Sequence, residues 1–224
     1  MAMIKLYGHV NRKSPNTFKL RLALAEAGAT YRYVAVDLAA GEQRKAEFLA
    51  LNPHGKIPVL VEDRFVLAES DAILWYIGEA FPDAKLVPGG GARAIQERAR
   101  VLQWCDFVST GVYQAYVDLY IHTLPASPAD KRVAWIAEAA AQKMDRLMGV
   151  MEGALAGRAH LAGDFSAADL SAAAVVQQIK ARLTPDPTAG RVPIAAWYER
   201  VTARPSWSKA RDTAGEMPAE DPPR

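Results

Sequence analysis

Three short stretches of this chain carry side chains whose types and spacing could do chemistry. The first is SPNTFKL, where Ser14 stands at a helix-cap position and Pro15 takes the first helical position. A hydroxyl there can accept a bond from a helix amide while donating its own proton elsewhere. Ser14 is therefore either a cap alone or a cap that also stabilises an anion. The second stretch is KIPVLVEDRFVL, in which the apolar runs Ile57–Val61 and Phe65–Leu67 flank a polar turn, as paired strands do. Pro58 sits at the mouth of the first run, where its missing N–H would spoil a ladder bond. A cis Ile57–Pro58 bond would turn the N–H and C=O of Ile57 outward, to pair with a peptide-like ligand as with another strand. The alternative is an edge-strand proline with no ligand. The third stretch is Glu69-Ser70. Ser70 is spaced to cap a helix from Asp71, whose amides and dipole favour a carboxylate, while Glu69 suits an ammonium. A ligand with an amino-acid head beside a peptide bond satisfies the second and third stretches together.

The elements that must position these residues alternate through the first eighty positions. IKLYG (4–8) and YRYVAVDL (31–38) read as strands. Between them runs a helix from Ser14-Pro15 to Gly28, with Phe18, Leu22 and Ala25 as its apolar stripe. EQRKAEFLALN (42–52) reads as a shorter polar helix, and the hairpin leads into a helix over 71–81 stopped by Pro82. The order β-α-β-α-β-β-α is thioredoxin-like and defines an α/β domain over 1–82. Residues 83–92, with Pro88 and Gly89–Gly91, make a linker rather than a dinucleotide loop, because no strand leads into the glycines.

The remainder predicts an all-α helix bundle over 93–215. A long helix spans 92–121, and Ser127-Pro128 opens another with Val133, Ile136, Ala140, Met144, Leu147, Met151 and Leu155 as its buried stripe. Ser166 and Asp169 have capping-box spacing at the head of the helix 165–183. One last helical segment covers 194–207, and the charged, proline-bearing tail 216–224 reads as disordered.

Composition narrows the classes. Half of the 224 residues are apolar and 23% are charged, which suits a globular fold. A formal charge of +2 gives no basic patch for nucleic acid. No apolar run reaches the length of a bilayer span, and Lys5 interrupts the apolar start, so a cytoplasmic address without membrane attachment is expected. The single cysteine, Cys105, excludes a CxxC pair, and the four histidines lack metal-ligand spacing, so no metal is expected.

With NPHGKIPVL, AESDAILWYI, LAGDFSAADLSAA and the helical second half in view, the chain resembles a glutathione transferase over nearly its whole length. The resemblance implies that the first domain binds glutathione and the second supplies most of the wall for a hydrophobic substrate. Ile57 and Pro58 would meet the cysteinyl part, Glu69 and Ser70 the γ-glutamyl head, and Gln43, Arg44 and Lys56 the glycyl end. SPNTFKL is similar to the serine-type phi and theta classes and to the bacterial nitrogen-regulator-like class, which makes Ser14 the activating residue and Asn16 its partner or replacement. Tyr7 belongs to the strand itself, and the stretch YGHVNRKSPNTFKL holds no cysteine.

Asp106 would reach the ammonium of a neighbouring subunit's ligand, or is a solvated helix charge. Phe107 and Tyr113 would line the hydrophobic pocket, and a homodimer is implied. The activity implied is conjugation of glutathione to small hydrophobic electrophiles, a detoxification chemistry. Reduction of disulfides or peroxides on the same site is an alternative, and non-catalytic binding of glutathione or another ligand is a third reading.

Overall fold

Every second residue along Ile4–His9 (β1) is buried, the period of a strand with one covered face. β1 is the middle of the sheet. It pairs in parallel with Tyr31–Val36 (β2) and antiparallel with Val59–Glu62 (β3). β3 turns back through Asp63 into Phe65–Ala68 (β4), an edge strand. The computed structural model describes residues 3–91, 93–124, 127–213 and 216–217, and these fall into two units: 1–86 with 204–224, and 87–203. In the first unit the helices Pro15–Glu26 (α1), Ala46–Leu51 (α2) and Ser70–Ala80 (α3) complete the β-α-β-α-β-β-α order of a thioredoxin-like fold.

α1 departs from the expected stripe. Thr17 through Leu24 are all buried, Lys19 and Arg21 included, whereas Ala25 is only half-buried. Contacts with α3 and with the last helix of the chain leave it little free surface. Charged groups survive such burial only when paired. The Lys19 ammonium meets the Asp71 carboxylate in the first turn of α3 at 2.5 Å. The Arg21 guanidinium lies 6.0 Å from the centre of the Phe18 ring and 5.8 Å from that of Tyr33.

The helix expected over 42–52 is two pieces, a 3-10 turn at Glu42–Arg44 and then α2, with Lys45 extended between them. A local exchange of bonds is the cause. Glu42 donates its N–H to the Asp37 carbonyl at 3.0 Å and accepts the Asp37 N–H on its carboxylate at 2.8 Å. That closes a turn before α2 can begin.

In the second unit the helix expected over 92–121 is Ala94–Asp106 (α4), a π-helical stretch Phe107–Val112, and Tyr113–Thr123 (α5). Ala92 lies outside the described residues. The next helix, Ala134–Leu155 (α6), starts later than Ser127-Pro128 predicts, because Ala129–Lys131 forms its own 3-10 turn. Its buried face is Ala140, Met144, Met148, Met151 and Leu155, with Ile136 and Leu147 half-buried and Val133 ahead of the helix. Ala167–Arg182 (α7) is buried on nearly every side through Ile179. At its head the buried Asp169 accepts the Ser166 N–H at 3.0 Å, the Leu161 N–H at 3.2 Å and the Trp197 indole N–H at 2.7 Å. Among the described residues no helix is long and apolar enough to cross a membrane.

The segment expected as one helix over 194–207 is Val192–Thr202 (α8) and Pro205–Arg211 (α9). Pro205 lacks the N–H that continuation would need. The division between the units falls at Arg204, not 215, because α9 packs on α1 in the first unit. There Trp207 meets Phe18 edge-on at 5.2 Å, and Arg204 and Ser206 bond the Glu26 carboxylate at 2.6 and 2.5 Å. Glu216–Met217 (β5) pairs in parallel with Tyr31 and Arg32, so the tail expected to be disordered begins with a short strand. Residues 218–224 lie outside the described ones.

Two outcomes follow from these ion pairs. Replacing Lys19 by Met breaks the buried ion pair and should lower stability by about 2–4 kcal/mol in urea melts, while Lys19→Met with Asp71→Leu should recover most of that loss. Burial alone would raise the Glu26 carboxyl, but the bonds from Arg204 and Ser206 outweigh it and hold the carboxyl below its ordinary 4.5. The stability so gained is present above that value and lost as pH falls through the lowered one. Glu26→Gln should therefore melt earlier at neutral pH and show a flatter acid limb in melting temperature against pH.

Candidate active site

One row of sheet partners organises the site. Tyr7 on β1 faces Val59 on β3, and Val59 faces Ala68 on β4. At this same end of the sheet β1 runs on toward Ser14, β3 is entered from Ile57–Pro58, and β4 leaves into Glu69-Ser70. Antiparallel register thus sets the entry to β3 and the exit from β4 at the end of the sheet from which β1 leaves.

Ser14 is the N-cap of α1, with extended backbone (φ −68°, ψ 122°) and Pro15 beside it. Its Oγ accepts the Thr17 N–H at 3.4 Å, a long bond that leaves the hydroxyl proton to donate elsewhere. Asn16 stands half-buried in the first turn of α1. Tyr7 is half-buried on β1 and packs edge-on against Phe48 at 6.2 Å, within the core cluster of Val36, Phe48 and Val59.

The Ile57–Pro58 peptide is cis. Pro58 is buried, Ile57 half-buried, and the ladder begins at Val59, so the main chain of Ile57 stays outside it. The loop before it is held by Asn52, a buried residue that the sequence reading passed over. Its side-chain N–H donates to the Lys56 carbonyl at 2.6 Å and its side-chain oxygen accepts the His54 N–H at 3.1 Å. Gly55, at φ +63°, completes this turn. The signal available in sequence was the Asn-Pro pair, a turn initiator.

At the head of α3 the cap assignment shifts by one. Glu69 occupies the cap position and Ser70 is the first helical residue. Glu69 adopts φ +65°, ψ 116°, a conformation that costs a non-glycine residue about 1–3 kcal/mol and that clusters at functional sites. Its carboxylate is 78% exposed and makes no capping bond; it lies 3.9 Å from the His54 Nδ1.

Gln43 is half-buried: its amide N–H reaches the Leu38 carbonyl at 3.4 Å, and its amide oxygen is buried without a partner among the described residues. Arg44 and Lys56 are exposed.

The remaining expected residues belong to the second unit. Asp106 is exposed at the end of α4, and its main-chain carbonyl accepts the Thr110 hydroxyl at 2.7 Å. Phe107 is half-buried against Trp104 at 5.2 Å. Tyr113 is half-buried with its ring 6.3 Å from that of Tyr116, and burial pushes its phenol up. Burial pushes Tyr116 up to about 12, so both rings stay neutral at ordinary pH. Cys105 is buried.

Residues 2–79 match the glutathione S-transferase N-terminal domain, and residues 117–205 match the C-terminal domain. Glutathione S-transferase F10 of Arabidopsis thaliana is 34% identical over 198 residues, 84% of this chain and 88% of that protein. Glutathione S-transferase 3 of Zea mays is 33% identical over 231 residues, covering 100% of this chain and 98% of its own. Among solved structures, that of glutathione S-transferase-I bound with lactoylglutathione superposes with a TM-score of 0.80. It is 28% identical and covers 94% of this chain and 99% of its own.

Asn52→Ala removes both bonds that shape the loop before Pro58. It should cost about 1–3 kcal/mol in stability and speed amide exchange at His54, both readable by denaturation and by hydrogen exchange.

Proposed function

Since this chain belongs to the glutathione S-transferase family, we propose that it ionises the glutathione thiol and directs it at small hydrophobic electrophiles. What supports the reading is that β1 runs on toward Ser14 at the end of the sheet where β3 is entered from Ile57–Pro58 and β4 leaves into Glu69-Ser70. In this reading the Ile57 main chain pairs with the cysteinyl part of the tripeptide, as an added strand would. Glu69 takes the γ-glutamyl ammonium, and the α3 amides with the Ser70 hydroxyl take its carboxylate. Gln43, Arg44 and Lys56 receive the glycyl end.

The Ser14 hydroxyl donates to the sulfur, and the α1 dipole adds to the stabilisation of thiolate. A charge-assisted bond of about 1.5–3 kcal/mol moves a thiol by about 1–2 pKa units, from about 8.5 toward neutrality. The nucleophile belongs to the cosubstrate. Cys105, buried in the second unit, has no part in the step. Phe107 and Tyr113 contribute to binding the electrophile, with Asp106 reserved for a ligand held by a second copy in a homodimer. Detoxification in the cytoplasm is the setting that this chemistry suits.

The test is direct. Ser14→Ala should raise the pKa of the bound thiol by about 1–2 units in a thiolate-absorbance titration, while glutathione affinity stays within about threefold. Turnover of an aryl halide at neutral pH should fall by about 10- to 100-fold. An unchanged pH–rate profile would transfer the role to Asn16, whose substitution is then measured in the same way.

A further inference from the structure

The Ser14 carbonyl is tied to its own helix by the Phe18 N–H at 2.9 Å, but its hydroxyl is held only by a long bond from the Thr17 N–H at 3.4 Å. What places its hydroxyl must therefore include the loop that precedes it. That loop is anchored at the His9 carbonyl, which accepts the Arg12 N–H at 2.8 Å and the Tyr33 hydroxyl at 2.7 Å. Asn11 donates its N–H to the His9 ring at 3.1 Å, and Lys13 donates to the Asn11 side chain at 2.9 Å. Val10 donates to the Val36 carbonyl at 3.1 Å. Arg12 takes the left-handed conformation (φ +55°), which a non-glycine residue keeps only when its surroundings enforce it.

Tyr33 supplies much of that enforcement. It is buried on β2, with its ring 4.6 Å below the Arg12 guanidinium and its hydroxyl on the carbonyl where the loop begins. Gly8 leaves room for this arrangement: a Cβ there would collide with the Tyr33 hydroxyl and with the Thr17 methyl. One side chain thus touches the last strand residue, the residue of unusual conformation, and the space beside the helix that Ser14 caps. None of these contacts involves a ligand group.

We propose that Tyr33 is a positioning residue for thiol activation: by fixing the His9–Lys13 loop it holds the Ser14 hydroxyl on the line to the glutathione sulfur. The inference rests on the reading of Ser14 given above. Tyr33→Phe is the informative variant, because it keeps the ring beneath Arg12 and removes the hydroxyl that bonds the His9 carbonyl. Its bound-thiol pKa should rise part of the way toward that of Ser14→Ala, and kcat at neutral pH should fall about 3- to 10-fold. The deficit should vanish at a pH well above the thiol pKa, where the sulfur ionises unaided. KM for glutathione and the Kd of S-methylglutathione, which has no thiol to ionise, should stay within about twofold.

The two variants separate the ways of failing. If Ser14→Ala leaves the profile unchanged, the assignment of Ser14 and this inference fall together. If Ser14→Ala shifts it and Tyr33→Phe does not, only this inference falls. A Tyr33→Phe protein that is unfolded, or whose deficit persists at high pH or appears in S-methylglutathione binding, makes Tyr33 a purely structural residue and likewise overturns it.

Discussion

The ion pair between Lys19 and Asp71 joins the two helices whose first turns border the candidate site. Lys19 lies one turn into α1 from Ser14, and Asp71 is the second residue of α3, just past Glu69-Ser70. A lysine side chain that is 2% exposed has few places to go, so α1 is held in both rotation and advance relative to α3. A pair of this kind adds little net stability over a well-packed apolar substitute, yet it is costly to break. Its value here is geometric. It fixes the start of α1, where Ser14 stands, against the start of α3, where Glu69 and Ser70 stand.

Around that constraint, the candidate site in the first unit is shaped largely by its main chain. The Ile57 backbone outside the ladder, the amides of α3 and the left-handed Glu69 are all features of conformation rather than of reactive side chains. Such groups stay accurate only if their loops are over-determined. Asn52 does this for the turn before Pro58, the reciprocal bonds of Glu42 and Asp37 for the turn before α2, and Tyr33 for the turn before α1. Each is a polar side chain used as an internal brace. Together they hold the loops that border the candidate site.

The second unit has its own brace. Asp169, fully buried, gathers two main-chain amides and the Trp197 indole at the head of α7. A buried carboxylate bonded by three donors ties a loop, a helix start and α8 into one arrangement. Alanines along α7 let neighbouring helices approach closely around it.

Much of this was legible in sequence because it depends on local physics. Ser14-Pro15 marked a helix start, Pro58 at a strand entrance marked an unusual main chain, and Ser166 with Asp169 marked a cap; each is a signal spanning a few residues. Composition and strand–helix alternation likewise sufficed for a thioredoxin-like half followed by a helical half. What required tertiary structure was every partner chosen across a long separation. The burial of Lys19 against Asp71, the return of α9 to α1 through Glu26 and Trp207, and the Tyr33 hydroxyl on His9 link residues that no period of 2 or 3.6 relates. The cap at Glu69 moved by one position for the same reason: a backbone held at φ +65° is set by the hairpin and helix on either side, not by the preference of glutamate. Local interactions can be read along the chain because their energy depends on neighbours in sequence. Long-range ones cannot, because their energy exists only once the sheet has brought their partners together.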